Sequence, residues 1–173
     1  MHRDSLSFAN GVRRLAVFRA LNLGDILCAV PALRALKGLF PAAETTFIGL
    51  AWVGPLCARL AYVDRFWEFP GFPGINEAPL DWERAQAFFA RARSSGFDLA
   101  VQMHGDGRAS NHFVRALGAS ATVGYHPADC SENVLTLSAP YPETKHEIHR
   151  CLGLVELLGG DGSDHRMEFP LSD

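Results

Sequence analysis

A mainly parallel β-sheet covered by helices on both faces is the fold class this sequence predicts, and three observations carry the expectation. Short apolar segments of strand length alternate along the chain with longer segments of helical spacing, the order that builds strand–helix–strand units. The two most strand-like segments each open into a polar or glycine-bearing loop, and the carboxyl ends of strands are where such sheets bind ligands. The 173 residues, 48% apolar and 20% charged, have the balance of one globular domain rather than of a disordered chain.

Leu15-Ala16-Val17-Phe18, preceded by Arg13 and Arg14, reads as a buried first strand. The turn Ala20-Leu21-Asn22-Leu23-Gly24 follows. A helix is expected over residues 25–39, where Ile26, Leu27, Val30, Leu33 and Leu36 fall close to helical spacing. Pro31 lies inside it and is expected to kink the helix or shorten its first part, because proline lacks an amide donor and crowds the preceding turn. Phe40-Pro41 ends the segment. Residues 45–50 read as a second strand, 52–62 as a short helix and 65–69 as a third strand. Pro70-Gly71-Phe72-Pro73-Gly74 is the clearest loop.

Asp81 is a good N-cap for a helix over 82–95, with Trp82, Ala85, Phe89 and Ala92 on its apolar face. Residues 97–103 form a strong strand candidate that opens into His104-Gly105-Asp106-Gly107-Arg108. A helix over 110–117 and a short strand over 122–125 come next. Residues 126–144 read as irregular, with one extended piece over 134–137. A final helix over 145–158 is closed by Gly159-Gly160. There are no internal repeats.

Composition excludes some functions. The net charge of −3 argues against a dedicated nucleic-acid binder. The first ten residues lack the apolar core of a signal peptide, and no apolar run approaches the roughly 20 residues that cross a bilayer. The four cysteines, Cys28, Cys57, Cys130 and Cys151, form no C-x-x-C pair and read most simply as buried free thiols in a reducing cytoplasm.

The loops 20–25 and 104–108 therefore hold the candidate chemistry. Asp25 stands at a helix start, where the dipole and free N–H groups favour a carboxylate, and a carboxylate at a cleft mouth can take a proton from a hydroxyl. Simple helix capping would also explain it. Gly24 allows a sharp turn and a close approach, and Asn22 can orient a hydroxyl. His104, Asp106, Arg108 and Asn111 could hydrogen-bond a sugar, with Arg108 able to pair with a carboxylate or phosphate. Gly105 and Gly107 are too few for a dinucleotide fingerprint.

Several other features read as structural. His146 and His149 lack the supporting ligands of a metal site and read as a surface or interface pair. Asp161-Gly162-Ser163-Asp164-His165 reads as a turn. Arg84 and Arg91 read as a solvated face. Trp67, Phe69, Phe72 and Trp82 read as packing, with a sugar-flanking role as the alternative.

Read in order, these segments form a pattern. Leu15-Ala-Val-Phe-Arg19, Asn22-Leu-Gly-Asp25-Ile-Leu, Pro31-Ala-Leu-Arg-Ala-Leu36 and Phe40-Pro41 resemble the start of family 9 glycosyltransferases, the bacterial lipopolysaccharide heptosyltransferases. Tyr62-Val63-Asp64, Phe97-Asp98-Leu99-Ala-Val-Gln102 and Lys145-His146-Glu-Ile-His-Arg150 continue the resemblance, which runs from Arg13 to Gly160.

The resemblance implies a Rossmann-like domain spanning 1–173, with 1–12 as an N-terminal extension. It corresponds to the acceptor-binding half of a two-domain GT-B enzyme whose donor-binding half is absent here. Asp25 is then the general base of an inverting transfer. Asn22, Gly24, Gln102, His104, Gly105, Arg108 and Asn111 are the substrate-binding candidates. No cofactor or metal ion is implied; the nucleotide sugar, ADP-heptose, is a substrate held by the other half. The resemblance also implies a cytoplasmic protein, peripheral to the inner membrane, acting on the lipopolysaccharide inner core. Residues 70–80 are rich in Pro and Gly and poor in basic residues, whereas an acceptor such as lipid A with Kdo is strongly anionic, so another surface glycan stays open. The alternative is a non-catalytic glycan- or nucleotide-binding domain of the same fold, and a flavodoxin-like module would instead bind FMN or a nucleotide.

Overall fold

The structure, a computed structural model, describes residues 11–130 and 134–170. Six strands make one sheet: β1 (Arg14–Phe18), β2 (Glu44–Gly49), β3 (Arg65–Glu68), β4 (Leu99–Gln102), β5 (Ala121–His126) and β6 (Leu137–Pro140). Their order is β3-β2-β1-β4-β5-β6, and every neighbouring pair is parallel. Parallel pairing requires crossovers, and these are supplied chiefly by helices α1 (Leu23–Leu39), α3 (Trp82–Ser95) and α4 (Ser110–Ala116). Between α1 and α3 lies the single turn α2 (Gly54–Cys57), and α5 (Glu147–Leu157) follows the last strand. The architecture is Rossmann-like.

Strand alternation sorts the side chains into two cores. Leu15 and Val17 of β1 point to one face, with Phe47, Leu99, Val101 and Val123, where α1 and α5 cover them. Ala16 and Phe18 point to the other face, with Ile48, Ala100, Phe113 and Leu117, under α3 and α4. Both faces of the central strands are thus dry, which is why their sequences read as continuous apolar runs. The second core is aromatic. The Phe113 ring lies 4.3 Å from that of Phe18, 5.1 Å from Phe69 and 5.5 Å from both Phe72 and Phe89.

Most expected elements form, and four differ. Helix α1 runs unbroken through Pro31 and starts at Leu23, so the proline does not shorten it. Ala29, Val30, Ala32 and Leu33 around it are all buried, and packing against α5 holds the turn that lacks one amide donor. The helix expected over 52–62 is reduced to a 3-10 turn (Ala51–Val53) and α2, with Pro55 in its first turn. The chain then folds back through buried Leu60 and Tyr62, and the Asp64 carboxylate accepts the Thr45 N–H at 2.7 Å.

The last strand is Leu137–Pro140, not 134–137. Just before it, Thr122 and Thr136 exchange reciprocal bonds, each amide donating to the other's hydroxyl at 3.1 and 3.0 Å, and Pro140 is tolerated because β6 is an edge strand. Helix α5 begins at Glu147, two residues later than expected, because His146 caps it through Nδ1.

Asp81 caps α3 as expected, accepting the Arg84 N–H at 3.1 Å, and Gly96 closes that helix with φ 60°. Of the cysteines only Cys57 and Cys151 are buried, with burial raising their thiols to about 12 and about 11; Cys28 is half-buried and Cys130 exposed. Among the described residues, no helix is long and apolar enough to cross a membrane.

Phe113 should therefore be a main contributor to stability. Phe113→Ala is expected to cost about 3–5 kcal/mol, read as a lower urea midpoint at unchanged slope.

Candidate functional site

The crossover from β1 leads towards β2, whereas that from β4 leads the other way to β5, so the carboxyl ends of β1 and β4 part around a crevice. This is the topological switch point, where ligands bind in open parallel sheets. Both loops singled out in the sequence line it. They are stitched together: the Met103 N–H donates to Phe18 O at 2.9 Å, and the Ala20 N–H donates to His104 Nδ1 at 3.2 Å.

Asp25 is the third residue of α1, so its carboxylate does not cap the helix. The capping position belongs to Asn22, whose extended backbone starts the helix without a side-chain capping bond. The Asp25 carboxylate is one-third exposed and lies 3.7 Å from the Arg19 guanidinium. A Cβ built at Gly24 or at Gly105 meets nothing within 4 Å, so open space adjoins both loops.

Arg19, directly after β1, is only 1% exposed. Its Nε donates to the backbone oxygen of Asp25 at 2.7 Å, one terminal nitrogen to Met103 O, and the other to Glu147 Oε2 at 2.7 Å. One side chain thus joins β1, α1, the end of β4 and α5. Burial alone would raise the Glu147 carboxyl, but hydrogen bonds from Arg19 and Arg150 outweigh it and hold the group below the ordinary carboxylate value. Arg19, Gln102, Gly105, Tyr141, Glu147 and Arg150 line a small cavity of about 10 Å³ beside the crevice, roughly the space of one water.

His104 is 8% exposed, and its ring stacks on Phe18 with centroids 5.0 Å apart. Because Nδ1 accepts the Ala20 N–H, the proton of the neutral ring sits on Nε2, which faces Glu77 Oε1 at 3.7 Å. Burial pushes the imidazole below its ordinary value and Arg19 adds to the shift, with Glu77 and Asp25 opposing.

Gln102 spends its polar atoms within the protein, and Asn111 its amide nitrogen. Gln102 donates to His104 O and to Ser110 Oγ, and accepts the His104 N–H. Asn111 donates to Tyr125 O at 2.8 Å, and its Oδ1 is buried without a partner. Gly107 makes this packing feasible: at φ 97°, a Cβ would lie 2.3 Å from Tyr125 O. Arg108 is exposed and paired with Asp129 at 2.7 Å and Asp106 at 3.1 Å.

The remaining residues singled out in the sequence have the following surroundings. His149 lies edge-on to His165 at 4.6 Å, and no cluster of three or more metal-ligating side chains occurs among the described residues. The Asp161 carboxylate accepts the Ser163 N–H in a turn. Arg84 pairs with Glu68, and Arg91 lies 3.9 Å over the Trp67 ring. Trp67 and Phe69 are core, whereas Trp82 is exposed. Arg19, Glu147 and Glu77 were not singled out as site residues from the sequence. An arginine placed immediately after an apolar strand was the available signal for the first.

Solved structures share this fold. A family 9 glycosyl transferase from Veillonella parvula DSM 2008 matches all of this chain over 47% of its own length, at 16% identity and TM-score 0.70. E. coli heptosyltransferase WaaC with ADP matches 90% of this chain over 50% of its own, at 15% identity and TM-score 0.66. E. coli ADP-heptose lps heptosyltransferase II matches 91% over 45%, at 14% identity and TM-score 0.66. The chain spans about half the length of these proteins. No protein-family model matches it, and no curated protein does. At 14–16% identity the likeness is one of fold, and the class it defines is that of a Rossmann-like domain corresponding to about half of each of these proteins.

Two outcomes follow from the charges. Glu147→Ala leaves buried Arg19 without its closest carboxylate and is expected to cost about 2–3 kcal/mol in urea unfolding. Acidification should weaken the fold in two stages. His104 is depressed, so the unfolded chain takes up its proton first and stability falls as pH drops through the ordinary imidazole value of 6.5. Glu147 is depressed too, so its contribution is lost only as pH falls below the ordinary 4.5. His104→Asn, which keeps an acceptor for the Ala20 N–H, should shrink the fall in urea midpoint between about pH 7.5 and about pH 5.5.

Proposed function

We propose that this chain is the acceptor-binding half of an inverting glycosyltransferase of the two-domain GT-B type, with Asp25 as its general base. The observation that carries the reading is the place of that carboxylate: partly exposed, on the first turn of α1, at the switch-point crevice, with open space beside Gly24 and Gly105. Arg19 fixes the backbone beneath it through the 2.7 Å bond to Asp25 O.

In the proposed step an acceptor hydroxyl enters the crevice and gives its proton to the Asp25 carboxylate. Its oxygen attacks the anomeric carbon of the nucleotide sugar from the face opposite the diphosphate. The bond from that carbon to the diphosphate oxygen breaks, its electron pair leaves with the diphosphate, and the configuration inverts. The departing charge is met by groups of the donor-binding domain.

The likeness to heptosyltransferases solved with ADP and with ADP-2-deoxy-2-fluoro heptose supports ADP-heptose as the donor. The substrate-binding candidates at the crevice are Asn22, Gly24, His104 and Gly105. Gln102 and Asn111 shape the second loop, and Arg108 lies at its rim. The reaction draws on no cofactor and no metal ion. It takes place at the cytoplasmic face of the inner membrane, on a lipopolysaccharide core or another surface glycan.

The test is Asp25→Asn in a protein that carries this domain with its donor-binding half, assayed with ADP-heptose and a panel of charged and uncharged glycan acceptors that includes an inner-core acceptor. A loss in kcat of about 10³-fold is expected, with unfolding midpoint and acceptor binding kept. Turnover within about tenfold of the parent would remove the base assignment.

A further inference from the structure

The loop between β3 and α3, residues 69–81, carries Glu77 and Asp81 but no Lys, Arg or His. It is packed in place. Ile75 is buried, Phe72 meets the Phe113 and Phe89 rings, and Phe72 and Ile75 form an isolated bridge. Gly71, at φ 82°, passes so close to the loop's other end that a Cβ would lie 2.4 Å from Pro79 O. A Cβ at Gly74 would touch Ala109, at the start of α4, at 3.0 Å. Glu77 is therefore presented by a braced segment, with its carboxylate one-third exposed beside His104.

The separation of His104 Nε2 and Glu77 Oε1, 3.7 Å, is too long for a hydrogen bond. Among the described residues the imidazole N–H is thus a largely buried donor without a partner in range, and the carboxylate oxygen beside it is an acceptor. A hydroxyl oxygen seated about 2.8 Å from each would accept from Nε2–H and donate to Oε1, using both functions of one sugar hydroxyl.

The cations of the bordering loops are already engaged. Arg19 serves Asp25, Met103 O and Glu147, and Arg108 serves Asp106 and Asp129. Beside the crevice, Arg150 serves Glu147, Pro142 O and Glu143 O and lies over the Tyr141 ring. Among the described residues of the loops after β1, β3 and β4, every arginine already has a carboxylate partner and there is no lysine. A phosphate or carboxylate would meet Asp25 and Glu77, and like charges brought together oppose binding.

We propose that Glu77 and His104 bind one hydroxyl of an uncharged sugar acceptor, and that the site turns away acceptors bearing phosphate or carboxylate next to that hydroxyl. The inference rests on the transferase reading above and gives it an acceptor class.

The test uses a matched set of heptose and hexose oligosaccharides, each uncharged and as its phosphate ester, titrated by NMR against the chain. Uncharged members are expected to bind at least about tenfold tighter than their phosphates, with little change between about 50 and about 300 mM NaCl. Glu77→Ala should weaken the uncharged members about tenfold, and Glu77→Arg should bring the phosphates level with them or above. Tighter binding of the phosphates, indifference to Glu77→Ala, or binding of no member would overturn the proposal. Asp25-dependent transfer onto a phosphorylated acceptor in the two-domain protein would overturn it while leaving the transferase reading intact. Transfer onto an uncharged acceptor that survives Asp25→Asn would instead sink the base assignment alone.

Discussion

A guanidinium taken out of water costs several kcal/mol unless every donor is met, and Arg19 is the group on which this structure settles that account. Its partners are a backbone oxygen of α1, a backbone oxygen at the end of β4 and a carboxylate of α5. None can shift without stranding a buried charge. The crevice walls are therefore set by electrostatics as well as by the apolar cores beneath them. The position of Asp25 relative to the second loop follows from the same side chain, because Arg19 grips the backbone on both sides of the switch point.

Much of the fold was legible because its signals are local. The apolar runs of β1 and β4, the Asp81 cap and the Gly96 stop are each contained within a few residues. The misreadings share one cause, which is tertiary packing overriding a local rule. Pro31 is tolerated because α1 lies against α5, and α2 stops after one turn because Leu60 and Tyr62 are drawn into the core. The last strand was misplaced because its start is fixed by the exchange of bonds between Thr122 and Thr136, partners 14 residues apart.

The site was legible in its outline and not in its wiring. Strand ends followed by glycine-bearing loops pointed to Asp25 and His104, since chain order and sheet topology are coupled. The bond from Arg19 to Glu147 spans 128 positions, and nothing local in either residue announces it. Glu77 was equally hidden, because its approach to His104 depends on a loop braced by Phe72, Ile75 and Gly71. Gln102 and Asn111, substrate-binding candidates from the sequence, carry a second task that only the fold reveals. In the fold, their polar groups hold that loop in shape.

The amide of Ala20 has a further consequence for the chemistry of the crevice. By donating to His104 Nδ1 it engages that ring's single basic lone pair, while the other nitrogen already holds the proton. In this state the imidazole can donate but has no free site at which to accept a proton. Histidine is the usual suspect wherever a hydroxyl must be deprotonated, and here the backbone has disarmed it. What basicity the crevice offers a bound hydroxyl then resides in its carboxylates.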